Sequence, residues 1–252
     1  MIKFFRKIRQ KLLSDNPPAG SRRVNRFSKY LIYAIGEILL VVIGILIALQ
    51  VNNWNNQKQN DLQAQKVLLA LRRDFIKNKA QLIQVKNSHE RVVNASSGLL
   101  NLIANFPNNY NETETVNLLR NHGYYLSFDA FNGALETAIS SGGIHLIDND
   151  SLVNLLFSWS SLISDSKEEE TQARQLLFQQ KKDLLFEYTR EVDIWKQGKS
   201  PFSSDYVGLL KNPDFENWVV WRRGILQELV REQNDILEVN NSILRLIEKE
   251  IK

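Results

Sequence analysis

The chain has 252 residues, is 43% hydrophobic and contains no cysteine, so it has apolar material for a folded body but no disulfide, thiolate metal site or cysteine nucleophile. Its formal net charge is +4, yet residues 1–29 alone carry +8, with nine basic residues against Asp15, so residues 30–252 carry −4. The basic character therefore belongs to an N-terminal arm, residues 1–29, and the rest of the chain is not predicted to bind nucleic acid.

The N-terminal arm begins with an amphipathic pattern. In "MIKFFRKIRQKLL", Phe5, Ile8 and Leu12 recur on one helical stripe, and the basic residues lie mostly elsewhere. Such a pattern is typical of a helix that lies on an anionic lipid leaflet. The predicted headgroup contacts are Lys3, Arg6, Lys7, Arg9 and Lys11. The alternative is a disordered basic tail that only fixes membrane topology. A linker, "SDNPPAGSRR", follows, because its two prolines cannot continue a helix.

Residues 30–51 are predicted to form a transmembrane helix. These 22 residues include one charge, Glu37, and at about 1.5 Å per residue they cover roughly 33 Å, enough to cross a hydrocarbon core of roughly 30 Å. A cleaved signal peptide fits less well, because its apolar region is shorter and ends at a small-x-small site. Basic residues dominate before the span, and Lys58 is the only one in residues 52–65. We therefore expect a cytoplasmic N-terminus and an extracytoplasmic body.

Glu37 is the unusual residue of this span. It lies roughly 10 Å inside by helical rise, where an ionised carboxylate is costly unless it is paired, hydrated or protonated. It shares a helix face with Gly44 and Ala48, and small residues four apart allow two helices to approach closely. These three residues are predicted to contact another transmembrane helix, from a second copy or from another membrane protein. The alternatives are that Glu37 snorkels to the cytoplasmic headgroups or lines a proton or ion pathway.

Two long stretches resemble a known family. "MIKFFRKIRQKLL" and "KYLIYAIGEILLVVIGILIALQVNNWN" are similar to the opening of an uncharacterised family of single-span membrane proteins from Bacteroidota, with its signature "FFRKIRQ", "YAIGE" and "LIALQVNNWN". The later stretches "ALETAISSGGIHLIDNDSLVNLL" and "LLKNPDFENWV" are similar more weakly. The resemblance implies a single-pass protein of the bacterial inner (cytoplasmic) membrane with a periplasmic helical body. It implies no activity, because the family has none assigned.

Residues 52–252 are predicted to form the extracytoplasmic body, an all-α bundle of about four main helices that continues from the transmembrane helix. Apolar residues recur at heptad spacing over 58–105 and again over 215–251, which predicts two long helices with narrow seams of the coiled-coil type. The first seam comprises Leu68, Leu71, Phe75, Leu82, Val85, Val92 and Leu99, and the second comprises Ile225, Leu229, Ile236, Val239, Ile243 and Leu246.

Two further helices are predicted between the long ones. "FDAFNGALETAISSGG" ends at Gly142 and Gly143, which serve as a C-terminal cap. The next helix begins after Asp148 or Asn149 and continues through "TQARQLLFQQKKDLLFEYTREVDIW". Residues 106–113 and 196–205 are predicted loops. Alternating strand patterns are nearly absent, which favours the all-α fold.

No motif predicts catalysis. His89, His122 and His145 lack the spacing of metal ligands, so His89 is predicted to be a polar seam residue and the other two to lie in turns. The consecutive acids Glu168, Glu169 and Glu170 point in different directions on a helix and are predicted to be solvated. We therefore predict no catalytic residues, no metal, no cofactor and no enzymatic activity.

The remaining features predict a membrane-anchored, non-enzymatic scaffold or assembly module. Its expected partners are membrane lipids and a second copy or another membrane protein, reached through the transmembrane helix. The alternative is a sensor-like ligand-binding module that acts through a membrane partner, since the arm has no room for an output domain. A membrane-anchored hydrolase is third and would need a site assembled from scattered residues.

Overall fold

The computed structural model describes residues 26–251, which are mostly helical and contain no strand. This confirms the all-α prediction. The helices in chain order are α1 (Arg26–Ala104), α2 (Glu112–His122), α3 (Gly133–Ser140), α4 (Asp150–Gln180), α5 (Phe186–Tyr188), α6 (Glu191–Trp195), α7 (Tyr206–Leu210) and α8 (Pro213–Glu250). A 3-10 turn, Gly143–Leu146, precedes α4, and a π-helical segment, Lys181–Leu185, follows it. The predicted amphipathic helix of the arm, its five headgroup contacts and the linker lie outside the described residues.

The chain divides into two units, and the boundary lies between Gln59 and Asn60. In the first unit, α1 contains an 18-residue window with a mean hydropathy of 2.6, none of which is buried. By length and composition, this one helix of the described residues could cross a membrane. The predicted boundaries of arm, span and body remain predictions.

The second unit, the body, is built on three long helices. Leu68, Phe75 and Leu82 of α1 are buried against Trp159 of α4 and Ile243 of α8 in the largest apolar cluster. All seven predicted seam residues of α1 are at most 3% exposed, which confirms that seam. The α1 and α8 segments run antiparallel, because Gln65 binds the carbonyl of Glu250 while His89 binds Gln233.

The predicted seam of α8 is only partly correct. Leu229, Ile236 and Ile243 are buried, but Ile225, Val239 and Leu246 are only half-buried. The buried face of α8 instead includes three polar residues, Arg222, Gln233 and Asn240. A search for regularly spaced apolar residues does not detect such positions. Buried polar side chains need partners, and two of the three bind a site described below.

Asparagine side chains fix the starts of several helices. Asn149 Oδ1 accepts the amide proton of Leu152 at 3.0 Å, as predicted for the start of α4. Asn212 Oδ1 accepts from Asp214 at 2.8 Å, so α8 begins at Pro213. Helix α2 was not predicted and follows the same rule, since Asn111 Oδ1 accepts from Glu114 at 3.0 Å. These caps make the helix boundaries local properties of the sequence.

The middle helix is shorter than predicted. It begins at Gly133 rather than Phe128, and it ends as expected at Ser140, before Gly142, whose φ of 73° is the left-handed conformation that glycine adopts readily. The five residues before Gly133 have no regular secondary structure. Their backbone belongs to the site described next.

Two adjacent residues of α4 test this packing. Leu156 is fully buried in the core, whereas Phe157 is 46% exposed. We expect Leu156→Ala to lower the free energy of unfolding by about 2–5 kcal/mol, because it removes buried apolar surface and leaves a cavity. The matched control, Phe157→Ala, should change it by less than about 0.5 kcal/mol. Urea unfolding of the full chain in detergent micelles, followed by tryptophan fluorescence, measures both.

Candidate functional site

The predicted membrane-interface residues lie on α1. Glu37, Gly44 and Ala48 are exposed along one side of the helix. A Cβ built at Gly44 would meet no other atom within 4 Å, so the backbone is open to a close neighbour there. Their contact with a second helix remains a prediction.

The most distinctive arrangement in the body is an extended segment held between helices. We call it the strap, residues 124–132; it links α2 to α3 and has no regular secondary structure. A partly buried segment without regular secondary structure carries amide and carbonyl groups that a helix or sheet would normally pair. Here helix side chains bind them instead.

Helix α1 binds one side of the strap with amide side chains. Asn78 donates to the carbonyl of Phe131 at 3.2 Å and accepts from its N–H at 2.7 Å. Gln81, oriented so that both its amide atoms are satisfied, makes the same pair of bonds with Asp129 at 2.7 and 3.3 Å. The spacing explains the match, because residues three apart share a helix face and alternate residues share one edge of an extended chain.

The end of the strap is fixed by two further bonds. Asp74 Oδ2 accepts the N–H of Ala134 at 2.9 Å, which extends the α1 contacts by one turn. Trp159 of α4 is fully buried and donates its indole N–H to Asn132 Oδ1 at 3.0 Å. The strap therefore joins the polar side of α1 to the apolar core.

Glu170 of α4 binds the middle of the strap. Its carboxylate accepts the N–H of Phe128 at 3.0 and 3.3 Å, and its backbone carbonyl accepts from the Tyr125 hydroxyl at 2.8 Å. Glu168 and Glu169 are exposed as predicted, but Glu170 is only 2% exposed, so its predicted solvation is wrong. Three consecutive helical residues do point in different directions, and here one direction is inward.

His89 connects the strap to α8. It is fully buried in the α1 seam, as predicted for a polar seam residue. Gln233 Nε2 donates to His89 Nδ1 at 2.9 Å, and His89 Nε2 faces the carbonyl of Leu126 at 2.9 Å. These partners assign the proton to Nε2 of a neutral ring. Gln233 Nε2 also lies 3.4 Å from Glu170, so one amide bridges the histidine and the carboxylate.

Burial shifts the pKa values of Glu170 and His89 in opposite directions. Desolvation raises the pKa of Glu170 to about 7, although the Phe128 N–H, Lys167 and Gln233 act to lower it. Desolvation also lowers the pKa of His89, with Arg222 adding to the effect. Partial burial and the neighbouring Glu169 raise the pKa of Glu232 on α8 to about 8. The site thus holds a carboxyl group, Glu170, whose pKa lies near neutral pH and whose oxygens accept a hydrogen bond from a backbone N–H.

A second polar cluster holds the start of the strap. Arg222 of α8 is 3% exposed and donates to the carbonyls of His122 and Tyr124 at 3.1 and 2.9 Å. His122 packs edge-to-face on Trp218, and its Nδ1 lies 3.0 Å from the Ser96 hydroxyl. Burial lowers the pKa of His122 well below its usual value.

The predicted turn positions of two histidines have different outcomes. His145 lies exposed in the 3-10 turn, as expected. His122 is fully buried at the end of α2, so its turn assignment is wrong. The reason is α2 itself, which was not predicted and carries His122 inward.

The hydrogen bonds and pKa shifts of this site describe binding of the strap and proton uptake by Glu170. Within residues 26–251 no group of three or more His, Asp or Glu side chains could hold a metal ion. Asn78, Gln81 and Glu170 bind the backbone of the strap. The described residues provide no positive evidence of catalysis.

The pH dependence of stability tests the Glu170 contact. Its pKa in the folded protein, about 7, exceeds the usual 4.5, so the folded state binds the proton more tightly. The contribution of this tighter proton binding to the free energy of unfolding is therefore complete below about pH 4.5 and is lost as the pH rises towards about 7. We expect the stability of Glu170→Gln relative to the unmodified chain to increase between about pH 5 and about pH 8.

Urea unfolding at several pH values in that window measures the effect. Glu168→Gln, an exposed neighbour, should leave the pH profile unchanged. Parallel profiles for Glu170→Gln and the unmodified chain would contradict the assigned burial cost of the Glu170 carboxylate.

A second substitution tests the amide contacts of the strap. Asn78→Leu removes both bonds to Phe131 and leaves its N–H and carbonyl without these partners. We expect the free energy of unfolding to fall by about 2–4 kcal/mol. Asn87→Leu, at an exposed position of the same helix, should change it by less than about 0.5 kcal/mol. A similar loss in both variants would show that the strap contacts add nothing.

Comparison with known proteins identifies a family but no activity. A family model described as a family of unknown function, DUF6090, matches residues 37–184, which include most of the apolar part of α1, the strap and Glu170. No curated protein matches the chain, and no solved structure matches it. The match agrees with the resemblance to an uncharacterised family. Since it spans more than half of the chain, the protein belongs to the DUF6090 family of unknown function.

Proposed function

We propose that the protein is a membrane-anchored, non-enzymatic scaffold or assembly module whose helical body lies outside the cytoplasm. The observation that carries the proposal is the single carboxylate of Glu37 within an apolar stretch of α1 that contains no buried residue in its most hydropathic window. A charged group in that setting gains most from a partner, and Gly44 and Ala48 on the same face leave room for one. The partner is a helix of a second copy or of another membrane protein.

The proposed location is the inner membrane of a bacterium of the Bacteroidota, with a cytoplasmic N-terminus and a periplasmic body. The support is the charge distribution: residues 1–29 carry +8, whereas residues 52–65 contain one basic residue, Lys58. In this arrangement the arm contacts anionic lipid headgroups through Lys3, Arg6, Lys7, Arg9 and Lys11.

The body supports a structural role more than a catalytic one. Asn78, Glu170 and Arg222 are the kinds of buried polar residue that an active site also uses. In this protein their hydrogen bonds are made to the backbone of the strap and the residues beside it. Their hydrogen bonds therefore hold an irregular segment between the long helices.

One observation favours a second candidate, a sensor-like module that acts through a membrane partner. Glu170, whose pKa is about 7, binds the strap at Phe128, so protonation near neutral pH alters a contact in the centre of the body. A sensor needs an element of this kind whose equilibrium a small chemical change can bias. The scaffold proposal does not require it.

The absence of cysteine makes a direct test of the scaffold possible. A single Ala48→Cys substitution in the full chain, oxidised in intact cells, should give a reducible cross-linked band on a non-reducing gel. The matched control is Leu46→Cys, which at about 100° per residue lies on the opposite side of the helix. It should give no band or a much weaker one.

The size of the band identifies the partner. Twice the chain mass indicates a second copy, and any other reducible mass indicates another membrane protein. Gly44→Ile should reduce either band several-fold, because the larger side chain separates the helices. No band from Ala48→Cys, or equal bands from both cysteine positions, would overturn the proposed interface.

A further inference from the structure

An exposed apolar row runs along α1 within the body. Its members recur every seven residues and are exposed by 50%, 47%, 47% and 38%, in the order Leu62, Leu69, Ile76 and Ile83. Seven residues make almost two helical turns, so the four side chains follow one line of roughly 32 Å. The row is distinct from the buried seam, whose residues Leu68, Phe75 and Leu82 precede three of its members by one position.

Basic side chains accompany this α1 row. Lys66 and Arg73 are exposed between its members, and Lys77 and Lys79 are exposed beside it. Residues 62–83 contain five basic residues and one acid, within a region 30–252 that carries −4. One of the five, Arg72, is paired with Glu248 of α8. The row therefore combines apolar anchors with a positive border.

We propose that the α1 row is a docking surface for an amphipathic helix of a partner protein whose apolar seam is flanked by acidic residues. The row supplies one of the two positions per heptad at which a second helix packs along a first, and Lys66 and Arg73 occupy the interleaved positions. The positive border selects acidic flanks, because opposite charges beside a helix seam favour pairing and like charges oppose it.

The same observations disfavour two other occupants. A second copy would place the basic borders of two α1 rows against each other, whether the helices ran parallel or antiparallel. A lipid surface calls for a broad apolar face, whereas Lys66 and Arg73 lie on the row itself. An acidic helix satisfies both the apolar residues and the charges.

This inference rests on the proposed scaffold function and deepens it by stating the chemistry of a partner of the body. The two are separable. The cross-link at Ala48 reports the transmembrane face, whereas the α1 row begins at Leu62, in the second unit. Substitutions in the row should leave the Ala48 cross-link unchanged.

The test uses the full chain in phosphatidylcholine nanodiscs and two labelled helical peptides about four heptads long. Both peptides carry leucine at the seam positions; one has glutamate at the flanking positions and its twin has lysine. We expect the acidic peptide to bind, measured by fluorescence anisotropy, and the basic twin to bind at least tenfold more weakly.

Two variants connect that binding to the row. Ile76→Ser should weaken the acidic peptide by about tenfold or more, because it removes a buried apolar anchor. The matched control is Val220→Ser, since Val220 is an aliphatic residue of α8 with a similar exposure of 45%. It should have no effect. The double variant Lys66→Glu with Arg73→Glu should reverse the preference between the peptides.

Several results would overturn the proposal. Equal binding of both peptides, no binding of the acidic one, or no effect of Ile76→Ser would each remove its basis. A concentration-dependent dimer in light scattering that Ile76→Ser abolishes would assign the row to a second copy.

Discussion

The body depends on one constraint: a partly buried segment without regular secondary structure must have its backbone amides and carbonyls hydrogen-bonded, and among the described residues no neighbouring strand does so. Each long helix supplies side chains that hydrogen-bond a different part of the strap's backbone. Helix α1 offers the amides of Asn78 and Gln81, α4 offers the Glu170 carboxylate, and α8 offers the Arg222 guanidinium. Because these groups are fixed on three helices, the strap also sets how those helices are aligned along their axes.

Some of the groups that hydrogen-bond the strap's backbone are ionisable, and burying them has a desolvation cost that apolar side chains do not have. Glu170 accepts a backbone N–H, yet desolvation outweighs that bond and keeps its pKa near 7. Arg222 faces carbonyl dipoles, and burial lowers its pKa to about 10. His89 avoids the cost by remaining neutral between Gln233 and Leu126. The bundle thus contains a network of buried polar side chains around the strap, while its apolar clusters supply most of the buried hydrophobic contact.

The parts of this architecture that follow from local rules could be predicted from sequence. The α1 seam, the Asn149 cap and the Gly142 stop each leave a signal within one or two turns of chain. The strap site does not, because Asn78, Gln81 and Glu170 are ordinary surface residue types until a distant extended segment is placed against them. The α8 seam was misassigned for the same reason, since Gln233 is buried for its partners rather than for its hydrophobicity.

The antiparallel pairing of α1 with α8 has a consequence for biosynthesis. The bonds from Gln65 to Glu250 and from Gln233 to His89 join residues 185 and 144 positions apart. A ribosome therefore delivers the α1 seam long before the chain that covers it, and the nascent body must keep Leu68, Phe75 and Leu82 from other apolar surfaces during that interval. Helix α8 can cover that seam only after Pro213–Glu250 has been synthesised.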